Sequence, residues 1–386
     1  MVKQFLIPIF LLFFFSCETK SQENVQILPG ASQLDQYLPQ LKGKKIGLFA
    51  NHTSLVGQTH LADTLLSLGI QISTAFSPEH GFLGNKPDGE KIEGEYTERF
   101  KLISLYGAHR KPTPEQVASL DLLVVDIQDV GARFYTYAST MTYLMEACAR
   151  EKVPVLILDR PNPNGSYIDG PVLDTAFASF VGAHPIPIVH GLTLGELASM
   201  INGEGWLGHG LQCDLSVIPV ANWDHSMPYT LPVRPSPNLP NELAVALYPS
   251  LALFEGTVVS VGRGTDFPFQ IIGHPLYSDS SFSFTPTPNE GSKYPPLEGE
   301  RCFGLDLTHQ PINYGFTLKY LIQFYQDLKG KTENSFFNDY FLKLAGTGSL
   351  QEQIEAGWSE QKIKASWEKD LEAYRKLRKN YLLYAE

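Results

Sequence analysis

The chain has 386 residues, 43% of them apolar and 18% charged, which excludes a disordered chain and gives enough length for two domains. Its formal net charge of −11 argues against a nucleic-acid partner, which needs a basic footprint. An anionic ligand on so acidic a protein must be held by locally placed Arg or Lys.

The chain opens with Lys3 and an apolar run over residues 5–15. This has the form of an export signal and falls short of the roughly 20 residues that a membrane-spanning helix needs. Ser16 then precedes Cys17, the pattern of a bacterial lipoprotein, and predicts cleavage before Cys17 and lipidation of that residue. An ordinary secretory signal is the alternative. On the lipoprotein reading, residues 1–17 are the signal and 18–32 a polar tether, and the mature protein is an exported lipoprotein, membrane-anchored in the periplasm or at the cell surface. The remaining Cys148, Cys213 and Cys302 are odd in number and widely spaced, so they form no disulfide framework.

Further along, strands are predicted at 44–50, 70–76, 101–106, 121–127, 153–158 and 213–220, and helices at 59–68, 113–120, 136–151 and 194–201. DLLVVDI, at 121–127, is a continuous apolar run of the kind that strands buried on both faces show. The alternation with short connections predicts an α/β fold, a Rossmann-like parallel sheet flanked by helices, over residues 33–225. Beyond it the texture changes. Residues 228–240 are a proline-rich connector, 251–264 a β-type run, 285–296 a Pro- and Gly-rich loop and 316–328 a helix. Ile363, Trp367, Leu371 and Tyr374 mark one face of a further long helix. Residues 226–386 therefore read as a second, smaller α+β domain, with a ligand cleft expected between the two.

Polar residues gather where the predicted strands end: Asn51 and His52, Glu79 and His80, Asp126 to Asp129, Asp159 and Arg160. That edge is where open α/β sheets bind ligands. Glu79 follows Ser77-Pro78 among Phe76, Pro78 and Phe82, apolar company that would favour its protonated form and suit a general acid. A helix-capping or ion-pairing role is the alternative. Gly262-Arg263-Gly264 gives only part of a dinucleotide fingerprint, so no nicotinamide cofactor is expected. His52, His60, His80 and Asp126 fit no closed zinc spacing, so no metal is expected either.

Four stretches, SPEHG (77–81), DIQDVGARFYTY (126–137), LDRPNPNG (158–165) and PSPNLP with LFEGTVVSVGRGT (235–240 and 253–265), give the sequence a family likeness. Together they resemble the NamZ-type exo-β-N-acetylmuramidases, peptidoglycan hexosaminidases first known as a domain of unknown function. One departure is Val258, where the family often has Asn after EGT, which implies one polar contact fewer. The resemblance implies an interdomain active site with no cofactor, removal of N-acetylmuramic acid from non-reducing ends of peptidoglycan fragments, and the SPEHG glutamate, here Glu79, as proton donor. His80 would orient Glu79, bind sugar or simply be structural.

Glycoside hydrolysis typically needs a second carboxyl. Asp126, Asp129 and Glu90 are candidates, with helix capping the competing role for Asp129 and assistance by the substrate's N-acetyl group a further route. The lactyl carboxylate of muramic acid calls for an Arg, and Arg133, Arg160 and Arg263 are the candidates. Asn51, His52, Gln128, Tyr135, Asn162 and Glu255 complete the expected substrate-binding set. A muropeptide-binding surface lipoprotein without hydrolytic activity is the alternative function.

Overall fold

The computed structural model describes residues 26–83 and 98–386. The expected signal, Cys17 and Glu90 lie outside the described residues.

Six strands form one parallel sheet: β1 (Ile46–Ala50), β2 (Ile72–Ser77), β3 (Lys101–Ser104), β4 (Leu122–Asp126), β5 (Val155–Leu158) and β6 (Leu215–Ile218). They lie in the order β3-β2-β1-β4-β5-β6, the doubly wound arrangement whose switch point falls between β1 and β4. Side chains alternate between two apolar layers. Phe49, Leu123, Val125, Val155 and Ile157 enter one, while Leu48, Leu122, Val124, Leu156 and Leu158 enter the other. Burial on both faces is why these strands read as unbroken apolar runs.

α1 (Leu34–Leu41) and α2 (Leu61–Ser67) cover the second layer with Tyr37, Leu41, Leu61 and Leu65. α3 (Pro114–Val117), α4 (Tyr137–Glu151) and α5 (Leu194–Gly203) cover the first. α4 packs Met141, Leu144, Met145 and Cys148 inward. That cysteine, Cys213 and Cys302 are all free and buried.

The first apolar layer continues without a break into the C-terminal domain. That domain contains α6 (Glu242–Leu251), α7 (Lys319–Leu328), α8 (Asp339–Ala345), α9 (Ser349–Glu355) and α10 (Glu360–Arg378). It also contains a three-stranded antiparallel sheet of β7 (Ile271–His274), β8 (Ser283–Phe284) and β9 (Cys302–Asp306). Ile363, Trp367, Leu371 and Tyr374 of α10 face this core, as their spacing predicts. The β-type reading of 251–264 does not hold: α6 ends in it, a 3₁₀ turn at Ala252–Gly256 follows, and the rest is loop. Its apolar run is continuous because Leu251, Ala252, Leu253 and Phe254 are all buried, Phe254 edge-on to Phe324.

Candidate active site

β2 ends at Ser77, and Pro78 carries the chain over the sheet edge to Glu79 and to His80, which is buried with a left-handed φ of 67°. Glu79 lines a cavity of about 480 Å³ between the sheet edge and the C-terminal domain. Its Oε2 accepts a 3.1 Å hydrogen bond from the hydroxyl of Thr136, the residue before α4. The apolar company expected for Glu79 from Phe76 and Phe82 is absent. Phe76 belongs to the sheet core, and Phe82 turns away to pack on His60 and Phe100 at 4.8 and 5.8 Å.

The opposite wall comes from the C-terminal domain. The 3₁₀ turn after α6 presents Glu255 and ends at Gly256, where a Cβ would stand 2.4 Å from the Cα of Phe341. Only glycine lets α8 approach so closely. The backbone N of Asn338 donates to Gly256 O at 3.0 Å, and its side chain caps α8 by accepting from Tyr340 N at 2.9 Å. Gly262, with φ of 76° and a would-be Cβ 2.5 Å from Ile271 Cγ1, turns the chain so that Arg263 faces the cavity. Arg263 Nε donates to Glu255 Oε1 at 2.6 Å, and its guanidinium lies 5.1 Å from the Phe269 ring centre.

Burial, then the Glu79 charge, pushes the Glu255 carboxyl up to about 8. Arg263 opposes this through direct contact, while burial pulls its own guanidinium down to about 10. The charge-assisted bond from Arg263 stabilises the Glu255 anion against that push. Burial, then Glu255 and Glu79, also raises the phenol of Tyr340, while Arg263 and Arg110 act against the shift, so all four charges bear on this one side chain. Tyr135 and Tyr137 line the cavity with rings 4.6 Å apart, and Tyr135 donates to Pro235 O at 3.0 Å.

Of the site residues expected from sequence, the cavity gathers Glu79, His80, Tyr135, Glu255 and Arg263. The others face other partners. Asp126 is fully buried and takes a bidentate pair from Arg160, at 2.6 and 2.9 Å, so neither is placed to meet substrate. Arg133 gives its guanidinium to the carbonyls of Pro171, Ile186, Leu344 and Ala345 at 2.7–2.8 Å and reaches no ligand space. Asn51 donates to the Tyr137 hydroxyl at 3.0 Å and so stands one layer behind the cavity. His52 Nε2 meets Arg234 O at 2.8 Å. Gln128 bonds the carbonyls of Asp129 and Pro161, and Asn162 that of Leu192. Asp129 caps no helix. Its Oδ1 accepts from Gly131 N at 2.7 Å within a turn, its Oδ2 has no hydrogen-bond partner among the described residues, and burial pushes the carboxyl up to about 7.

Sequence reasoning missed Thr136, Arg110, Tyr340 and Lys343 as wall residues. Thr136 lies inside the 126–137 motif and was within reach. Tyr340 and Lys343 sit on a short helix outside every motif, and Arg110 in a loop with no local signal. Among the described residues no group of three or more His, Cys, Asp or Glu could hold a metal ion.

Comparison with known proteins follows the same outline. Residues 46–243 match the family described as exo-β-N-acetylmuramidase NamZ, N-terminal, and residues 246–384 its C-terminal counterpart. The peptidoglycan β-N-acetylmuramidase NamZ of Bacillus subtilis (strain 168) is 37% identical over 385 residues, covering 91% of this chain and 89% of that protein. Crystal structures of two DUF1343 family proteins from Bacteroides fragilis NCTC 9343 align with TM-scores of 0.86 and 0.80 at 46% and 26% identity. Each covers 94% of this chain, and 99% and 100% of the respective structures are matched.

Proposed function

This chain belongs to the NamZ exo-β-N-acetylmuramidase family, a family of glycoside hydrolases, and from that premise we propose that it releases N-acetylmuramic acid from the non-reducing ends of peptidoglycan fragments with Glu79 as general acid. The observation that supports this most is the convergence of Glu79 and Glu255, one from each domain, on a single cavity. Two carboxyls flanking a sugar are what glycoside hydrolysis typically uses. The Glu79 proton passes to the glycosidic oxygen as the bond to the anomeric carbon breaks. Glu255 faces the positive charge that develops there, and a water molecule finally adds at the anomeric carbon, its hydroxyl completing the product and its remaining proton returning to the Glu79 carboxylate. Arg263 holds Glu255 through a charge-assisted bond, and Thr136 fixes the Glu79 carboxyl in place.

The upward push on Glu255 favours a second reading, in which the two glutamates exchange roles. Leaving-group dependence separates them. A general acid contributes on the order of 10²–10⁴ in rate, and much less when the leaving group departs unprotonated. Glu79→Gln is expected to lose that factor on a disaccharide of muramic acid and N-acetylglucosamine and to be largely spared on a nitrophenyl muramic acid glycoside. Glu255→Gln is expected to fail on both substrates. The reverse pattern would exchange the roles. Full turnover in both variants would remove the pair from the chemistry, and no turnover by the intact protein would leave a binding protein.

A further inference from the structure

We propose that Arg110 and Lys343, which line the cavity from the two domains, form the subsite that recognises the substrate's lactyl carboxylate. This rests on the muramidase reading above. Among the described residues four cations (Arg110, Arg263, Lys293 and Lys343) line the cavity against two carboxylates, Glu79 and Glu255, in a chain whose net charge is −11. The cavity thus runs against the sign of the whole molecule and draws anions to it.

The three arginines that sequence suggested for this role are committed elsewhere: Arg133 to carbonyls, Arg160 to Asp126 and Arg263 to Glu255. Arg110 and Lys343 are exposed and have no carboxylate within ion-pair distance among the described residues. Arg110 is also held in place. Its guanidinium carbon lies 4.4 Å from the centre of the Phe180 ring, and Phe180 is buried and stacked on Tyr143 at 6.1 Å. Stacking occupies one face of a guanidinium and leaves its N–H edge for a carboxylate. On the same wall the hydroxyl of Ser179, next to Phe180 in the chain, is buried without a hydrogen-bond partner among the described residues. It can donate to one oxygen of a bound carboxylate. Lys343, near the end of α8, supplies a second charge from the opposite domain.

Muramic acid differs from N-acetylglucosamine by the lactyl ether alone, so paired nitrophenyl glycosides of the two sugars isolate this contact. Arg110→Gln in the full-length protein is expected to raise KM for the muramic acid glycoside by about tenfold or more, as loss of a charge-assisted bond implies, with a much smaller fall in kcat. Its preference over the N-acetylglucosamine glycoside should collapse, and Lys343→Gln should act in the same direction with smaller size. Both residues are exposed, so the variants should fold. Calorimetric binding of the free monosaccharides gives a readout independent of turnover. If the single and double variants keep wild-type discrimination in both assays, the subsite is overturned. If the intact protein hydrolyses neither glycoside yet binds N-acetylmuramic acid in an Arg110-dependent way, the subsite stands and the hydrolase reading falls. If it neither hydrolyses nor binds, both fall.

Discussion

Two polar regions meet at the sheet edge, and they differ in where their hydrogen bonds end. Behind β1 and β4, Asp126, Arg160, Asn51 and Gln128 satisfy one another or nearby backbone, and the switch point that holds a dinucleotide in related folds is filled by an ion pair. A few residues away, Glu79 and Glu255 line open space. Both regions hold carboxyls, and in each an arginine pairs with one of them. Function follows the polar groups that the fold leaves facing a cavity, and stability follows those it closes upon themselves.

That contrast can be broken at three points. Arg160→Met should leave the Asp126 carboxylate buried and uncompensated, costing about 3–5 kcal/mol in a denaturant titration, while the folded fraction keeps its turnover. A stable variant with no activity would move the ion pair into the chemistry. Arg263→Met should do the opposite, with stability little changed and the pH profile displaced. Removing a cation disfavours the anion of the acid pair, so the acidic limb of the kcat/KM profile should move up by about one unit or more. An unmoved limb would mean that Arg263 does not tune the pair. The third signal, from Asp129, is a slope and not an offset. Its folded carboxyl stands at about 7 against an ordinary 3.8, so the native state binds the proton more tightly than the unfolded chain. The stabilisation is full below about 3.8 and is lost as pH rises through about 7. Asp129→Asn should flatten that slope in unfolding free energy, and an unchanged slope would place the titration elsewhere.

The parallel sheet was legible because strands buried on both faces must be apolar throughout, as at Leu122–Asp126 and Val155–Leu158. Glu79 was legible as a polar residue just past a strand end, but Asn51, Asp126 and Arg160 stand at such ends too and bond internally, so position alone does not single it out. Arg133 was not. Its partners are backbone carbonyls more than 200 residues away, and a carbonyl leaves no trace in a sequence. The β7–β9 sheet escaped for another reason. Its strands are short, and Gly273 and Gly304 approach so closely that a Cβ at 304 would collide with the Ile272 carbonyl. Glu255 was visible as a residue but not as a carboxyl sharing a cavity with Glu79, since nothing local says that a 3₁₀ turn will face a loop some 175 positions earlier.

Arg133 has a wider consequence. It belongs to the domain that carries Glu79, and it grips the last carbonyls of α8. The other end of α8 is tied through Asn338 to the turn that bears Glu255. A side chain set back from the cavity thus works as a spacer bar. It gauges the span between Glu79 and Glu255, and so the girth of whatever can be gripped between them.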